Sequence, residues 1–97
     1  MSKTPEYLDI QDGQIVITLE KGFEIDGVKT KSITMREPKV KDQRAVEKYK
    51  GDESDRELFM FGDLCGIAPT DFDEMTLDDY VRVQTAYQNF IKSARNI

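Results

Sequence analysis

The sequence predicts an α+β fold: a long N-terminal β-hairpin followed by a small bundle of about three α-helices. Three observations predict it. Ile15, Ile17 and Leu19 alternate with Val16 and Thr18, the period of a half-buried strand. Asp26-Gly27 is a strong hairpin signal, because a type I′ turn needs positive φ at both central residues. Beyond Pro38 the apolar residues recur at helical spacing, punctuated by caps and stops.

The elements follow in order. Residues 1–13 read as a polar lead-in with a turn at Asp12-Gly13, anchored by Tyr7, Leu8 and Ile10. Residues 14–97 read as a single α+β domain, since domains run about 50–250 residues. Its hairpin spans 14–37. A tight turn at Asp26-Gly27 pairs Ile25 with Val28 and, carried back, Leu19 with Thr34. That register puts Ile33 and Met35 on the face opposite Ile15, Ile17 and Leu19. A single β-bulge near Glu20-Lys21-Gly22 would restore one apolar face, with Ile33 near Leu19 and Met35 near Ile17.

Glu37-Pro38 ends the second strand, because Pro cannot donate to a ladder; Pro38 then suits the first turn of a helix. That helix is expected at about 39–50, with Val40, Ala45, Val46 and Tyr49 apolar and Gly51 as its stop. The next, at about 55–65, opens with Ser54-Asp55-Arg56-Glu57, the spacing of a capping box. Leu58, Phe59, Phe61, Leu64 and Cys65 form its buried stripe, Met60 lies on the other side, and Gly66 closes it. One short helical turn is expected around Thr70–Asp73. The last helix, at about 77–94, is capped by Thr76. Its stripe is Leu77, Tyr80, Val81, Gln84, Tyr87, Phe90, Ile91 and Ala94, with Lys92 and Arg95 near its C-terminal dipole.

Composition narrows function. The 97 residues are 34% charged and 38% hydrophobic, with net charge −5. There is no His and a single Cys, which excludes a His-based triad, a His-ligated metal and a Cys-rich zinc site. The lone Cys fits a reducing compartment. The first six residues lack the apolar run of a secretory signal, and no apolar run is long enough to span a bilayer. Asp71, Asp73, Glu74, Asp78 and Asp79 cluster, but counting from Asp71 an EF-hand would need Gly at Thr76 and Glu at Arg82. Helix-capping acids explain the cluster better. Cys65, beside Asp63 and within an apolar stripe, reads as a small core residue. No catalytic, cofactor or metal site is expected, and the chain reads as a non-enzyme.

Charge is divided along the chain. Residues 28–50 carry eight bases and three acids; residues 51–79 carry ten acids and one base, Arg56. These blocks could meet within the fold or between copies. Nucleic acid binding is not expected, since no aromatic residues alternate with the bases. Phe59 and Phe61 cannot share a helix face, so one of them lies toward a rim. Phe59, Met60, Phe61, Tyr80, Tyr87 and Phe90 are the candidate partner-binding residues.

Several of these residues carry a family resemblance. Ile17-Thr18-Leu19, Asp26-Gly27, Ile33-Thr34-Met35-Arg36-Glu37-Pro38 and Asp42 stand in an order that resembles the tail assembly chaperones of Mu-like and related contractile-tailed phages. Leu64-Cys65-Gly66-Ile67, Asp71-Phe72 and Met75-Thr76-Leu77-Asp78-Asp79-Tyr80, followed by a long amphipathic helix, extend the resemblance over about residues 14–92. It implies a non-catalytic protein of the bacterial host cytoplasm. Such a protein binds the phage tape-measure protein, keeps it soluble, recruits tail-tube subunits and then leaves; homo-oligomers are compatible with that role. It also implies that the gene can yield a longer, frameshifted product. Asp26, Gly27, Arg36, Glu37, Pro38 and Asp42 would then be structural motif residues. The other readings are a structural tail or virion accessory protein, or an acidic inhibitor or DNA mimic.

Overall fold

The computed structural model describes residues 4–95. Strands β1 (Leu8–Gln11), β2 (Gln14–Ile25) and β3 (Val28–Arg36) form an antiparallel sheet in the order β1-β2-β3. Helices α1 (Val40–Lys48), α2 (Glu53–Cys65) and α3 (Leu77–Arg95) follow, with a 3₁₀ segment, Pro69–Glu74, between α2 and α3. The fold is α+β, as the sequence predicts. Residues 1–3 and 96–97, and the side chains of Ser93, Ala94 and Arg95, lie outside what is described.

One strand was hidden in the polar lead-in. Residues 8–11 form β1, pairing Leu8 with Ile17 and Gln11 with Gln14 across the Asp12-Gly13 turn. Leu8-Asp9-Ile10-Gln11 does alternate, but over four residues only, and of its two apolar side chains Leu8 is buried while Ile10 is exposed. The main hairpin turns as expected, with φ of 52° at Asp26 and 79° at Gly27.

The irregularity in β2 falls at the expected place but is larger than a single bulge. Thr18 pairs with Ser32 and Phe23 with Thr30, so four residues, Leu19 to Gly22, oppose Lys31 alone. Three extra residues shift the facing as one would, because both numbers are odd. The partners therefore differ from expectation: Ile33 lies opposite Ile17 and Met35 opposite Ile15. Ile15, Ile17, Leu19, Phe23, Ile33 and Met35 thus share one buried face.

The helices cover that face. Phe61 and Leu64 of α2, Val83 and Ala86 of α3, and Ile67, Phe72 and Met75 from the connection complete the core. Several local expectations are corrected. Helix α1 begins at Val40 with Lys39 as its N-cap, so Pro38 precedes the helix rather than entering its first turn. The capping box of α2 is Asp52 with Asp55, two residues before the expected Ser54 and Glu57. Asp52 Oδ1 accepts from the Asp55 N–H at 2.9 Å, and Asp55 Oδ2 accepts from the Asp52 N–H at 3.2 Å. Met60 is buried, not on the outer side of α2. Thr76 does cap α3, its Oγ1 accepting from the Asp79 N–H at 3.2 Å. The buried line of α3, however, runs through Asp79, Val83 and Ala86, while Leu77 and Val81 are exposed. The helix is rotated about its axis relative to the purely apolar reading, because a carboxylate has been drawn inside.

A helical groove and two carboxylate clasps

That carboxylate is Asp79, fully buried beneath the β2 irregularity. Its Oδ1 accepts the Glu20 N–H at 2.7 Å, and its Oδ2 accepts those of Lys21 at 3.1 Å and Gly22 at 2.9 Å. The extra residues of β2 leave the ladder and turn three amides inward, where they need an acceptor. Burial alone would raise the Asp79 pKa. The bonds from Glu20, Gly22 and Lys21, with the nearby Arg82 charge, outweigh it and hold the carboxyl below its ordinary value. Arg82 also donates to the Thr18 carbonyl at 2.8 Å and lies 4.5 Å from the Tyr7 ring centroid. Asp79 is therefore a tertiary clasp joining α3 to the sheet, not a helix-capping acid. The hairpin's register conflict was the available signal: a bulge frees amides, and buried amides require a partner.

A second clasp joins β3 to the helices. Arg36 donates to both oxygens of Asp42 at 2.8 Å and to Asp63 of α2 at 3.2 Å. Asp42 is buried and also accepts the Lys39 N–H at 2.8 Å. The two Arg36 bonds hold its carboxyl well below the usual carboxylate range, despite its burial. Glu37 donates its N–H to the Gly13 carbonyl at 3.0 Å, tying the β3 end to the first turn.

A groove of about 540 Å³ lies between α1, α2 and α3. Val46, Met60, Phe61 and Tyr87 give it an apolar floor, and Gln43, Glu53, Arg56, Gln84 and Gln88 a polar rim. Tyr87 and Tyr80 flank the Phe61 ring, with centroids at 5.5 and 5.9 Å. Glu57 fixes one wall, accepting from Tyr80 Oη at 2.6 Å and Gln84 Nε2 at 3.1 Å. Burial, then the Glu57 contact, push the Tyr80 hydroxyl pKa upward and keep it a donor.

The structure sorts the candidate binding residues. Met60 and Tyr87 line the groove, as does Phe61, whose ring is 2% exposed and belongs to the core. Tyr80 reaches the groove through Glu57. Phe59 lies elsewhere, stacked on Tyr49 with centroids 4.4 Å apart. Phe90 packs against the core without lining the groove. Val46 and the three glutamines were not among the candidate binding residues, since their juxtaposition depends on how the three helices pack. Burial pushes the Cys65 thiol up to about 12, which suits packing and not nucleophilic chemistry. Among the described residues, no group of three or more His, Cys, Asp or Glu is placed to hold a metal.

The model of one protein family, phage tail assembly chaperone proteins, E, or 41 or 14, matches residues 16–92. The match runs from β2 into the later turns of α3 and includes both clasps and the groove. The chain belongs to the phage tail assembly chaperone family. No curated protein and no solved structure gave a significant match. No helix among the described residues is long and apolar enough to cross a membrane.

Proposed function

We propose that this tail assembly chaperone acts in the host cytoplasm by binding helical segments of the phage tape-measure protein. Its groove takes one apolar face of the client, and bound copies keep the client soluble until tail-tube subunits enclose it. The single observation that carries this reading is the groove itself. It has an apolar floor, a polar rim and walls made of three helices, which is the arrangement that accepts an amphipathic helix. Met60 gives part of the floor an adaptable surface, suited to a client whose sequence varies along its length. The net charge of −5 would confer solubility on the complex.

The reading as a DNA mimic has less support. Asp79 is buried, Asp63 faces Arg36, Asp52 and Asp55 hold each other's amides, and Glu57 holds Tyr80. Those acids serve the fold instead of forming a free phosphate-like array. The experiment is co-expression of the full chain with the tape-measure protein encoded beside it, followed by co-purification and mass determination. A soluble complex with several chaperone copies per client is expected. A tape-measure protein that stays insoluble or unbound would refute the proposal. Presence of the chain in purified virions would favour a structural accessory role.

A further inference from the structure

A smaller hollow lies across α2 from the groove, where three elements meet. Tyr49 at the end of α1, Asp55 and Leu58 of α2, and Pro69, Thr70 and Asp73 of the 3₁₀ segment line it. Asp55 and Leu58 stand about half a turn around the helix from Glu53, Glu57 and Met60, which line the groove. The hollow holds about 200 Å³. Small-molecule pockets run about 300–1,000 Å³, so this one has room for a single long side chain. Leu58 and Pro69 supply an apolar wall. Tyr49 is 36% exposed, and its ring is held by a stack on Phe59 with centroids 4.4 Å apart. Asp55 and Asp73 are both exposed, and neither has a cation. Among the described residues, the ion pairs are those of Arg36 with Asp42 and Asp63. Asp55 accepts the Asp52 N–H through Oδ2 at 3.2 Å, which leaves its Oδ1 available. Arg56, the neighbour of Asp55 in sequence, instead donates its Nε–H to the Tyr49 carbonyl at 3.2 Å and lines the groove.

We propose that this hollow receives an arginine side chain from a basic segment of a partner protein. The aliphatic stem lies on Leu58 and Pro69. The guanidinium sits between the Asp55 and Asp73 carboxylates and stacks against the Tyr49 ring, and the Thr70 hydroxyl accepts one further N–H. A planar, delocalised cation with several fixed donors uses all of these groups at once, whereas a lysine ammonium meets the carboxylates as a point charge. Charge complementarity selects a basic partner. Residues 51–79 supply every lining residue except Tyr49, and they carry ten acids and one base. Because the hollow and the groove lie on opposite sides of α2, both can be filled together. The inference does not rest on the groove binding a client.

NMR titration of the isotope-labelled full chain tests it. The probes are a short peptide of alternating glycine and arginine and its lysine counterpart of equal charge. The arginine peptide should shift the amides of Asp55, Leu58, Thr70 and Asp73, and should bind roughly tenfold more tightly than the lysine peptide. Tyr49→Leu, which keeps apolar bulk without a ring, should erase most of that preference. Asp73→Asn, at an exposed position that no described ion pair uses, should weaken arginine binding several-fold. Glu24→Gln, the same charge change on an exposed residue of β2, should leave it intact. Equal binding of the two peptides overturns the proposal, since net charge alone would then explain it. So do arginine-induced shifts that miss these residues, or an Asp73→Asn chain that binds as the unmodified one does.

Discussion

Asp79 shows how one side chain can decide a register. Its carboxylate is the acceptor for three amides that β2 withdraws from its ladder, so the irregularity and the orientation of α3 are one structural event. Asp79→Ala leaves those donors without a partner and should destabilise the protein by about 2–4 kcal/mol in urea unfolding. Asp79→Asn should cost less, since one oxygen still accepts. Arg36→Ala strands the buried Asp42 carboxylate. Because Arg36 itself is 37% exposed and screened by water, a loss of about 1–3 kcal/mol is expected. A fall in melting temperature would identify Arg36 as a clamp. Loss of client binding at an unchanged melting temperature would identify it as a contact residue. The same two carboxylates set an acid limb. Both have folded pKa values below the ordinary 3.8, so protons bind the unfolded chain first. Their contribution is complete above that value and is lost as pH falls through it toward the folded values. Urea midpoints should therefore drop below about pH 4, and the combined Asp42→Asn, Asp79→Asn variant should show a flatter acid limb.

At the scale of elements, the irregular stretch of β2 is sensitive to a single methyl group. Gly22 and Gly27 have nearly the same φ, 78° and 79°, but different surroundings. A Cβ at Gly22 would stand 2.5 Å from the Thr30 carbonyl oxygen and 2.8 Å from Lys31 Cγ, whereas one at Gly27 meets nothing within 4 Å. Gly27→Ala should cost about 1 kcal/mol of left-handed strain, and Gly22→Ala should cost at least about 2 kcal/mol more. Equal melting temperatures for the two would contradict the role given to the irregularity. What the sequence reveals divides along the same physical line. The main hairpin was legible because Asp26-Gly27 and the alternation of Ile15, Ile17 and Leu19 are local signals. The site of the irregularity was legible from a parity argument, but its size was not, since three extra residues satisfy parity as one does. Strand β1 was missed because its alternation, Leu8-Asp9-Ile10-Gln11, lasts only four residues within a polar stretch. The face of α3 was misread because an apolar stripe through Leu77 and Val81 took no account of an acid whose partners lie 57 to 59 residues earlier. The groove was half legible: Met60 and Tyr87 were named, while Val46 and the glutamines join them only through helix packing.

The whole molecule separates its tasks in space. The sheet and the two clasps hold the helices in place, and the groove faces outward between them. This arrangement leaves the groove free to take the client proposed for it without disturbing the core. The most direct test of the client surface is co-purification of the tape-measure protein with variants of the groove floor drawn from different helices. Val46→Asp on α1 and Tyr87→Ala on α3 are suitable, each checked for its melting temperature. Phe59→Ala, stacked on Tyr49 away from the groove, is the control. Both floor variants, still folded, are expected to lose roughly tenfold or more in binding while the Phe59 variant holds its client. Full client binding by both folded floor variants, or its loss in the Phe59 variant alone, would contradict it.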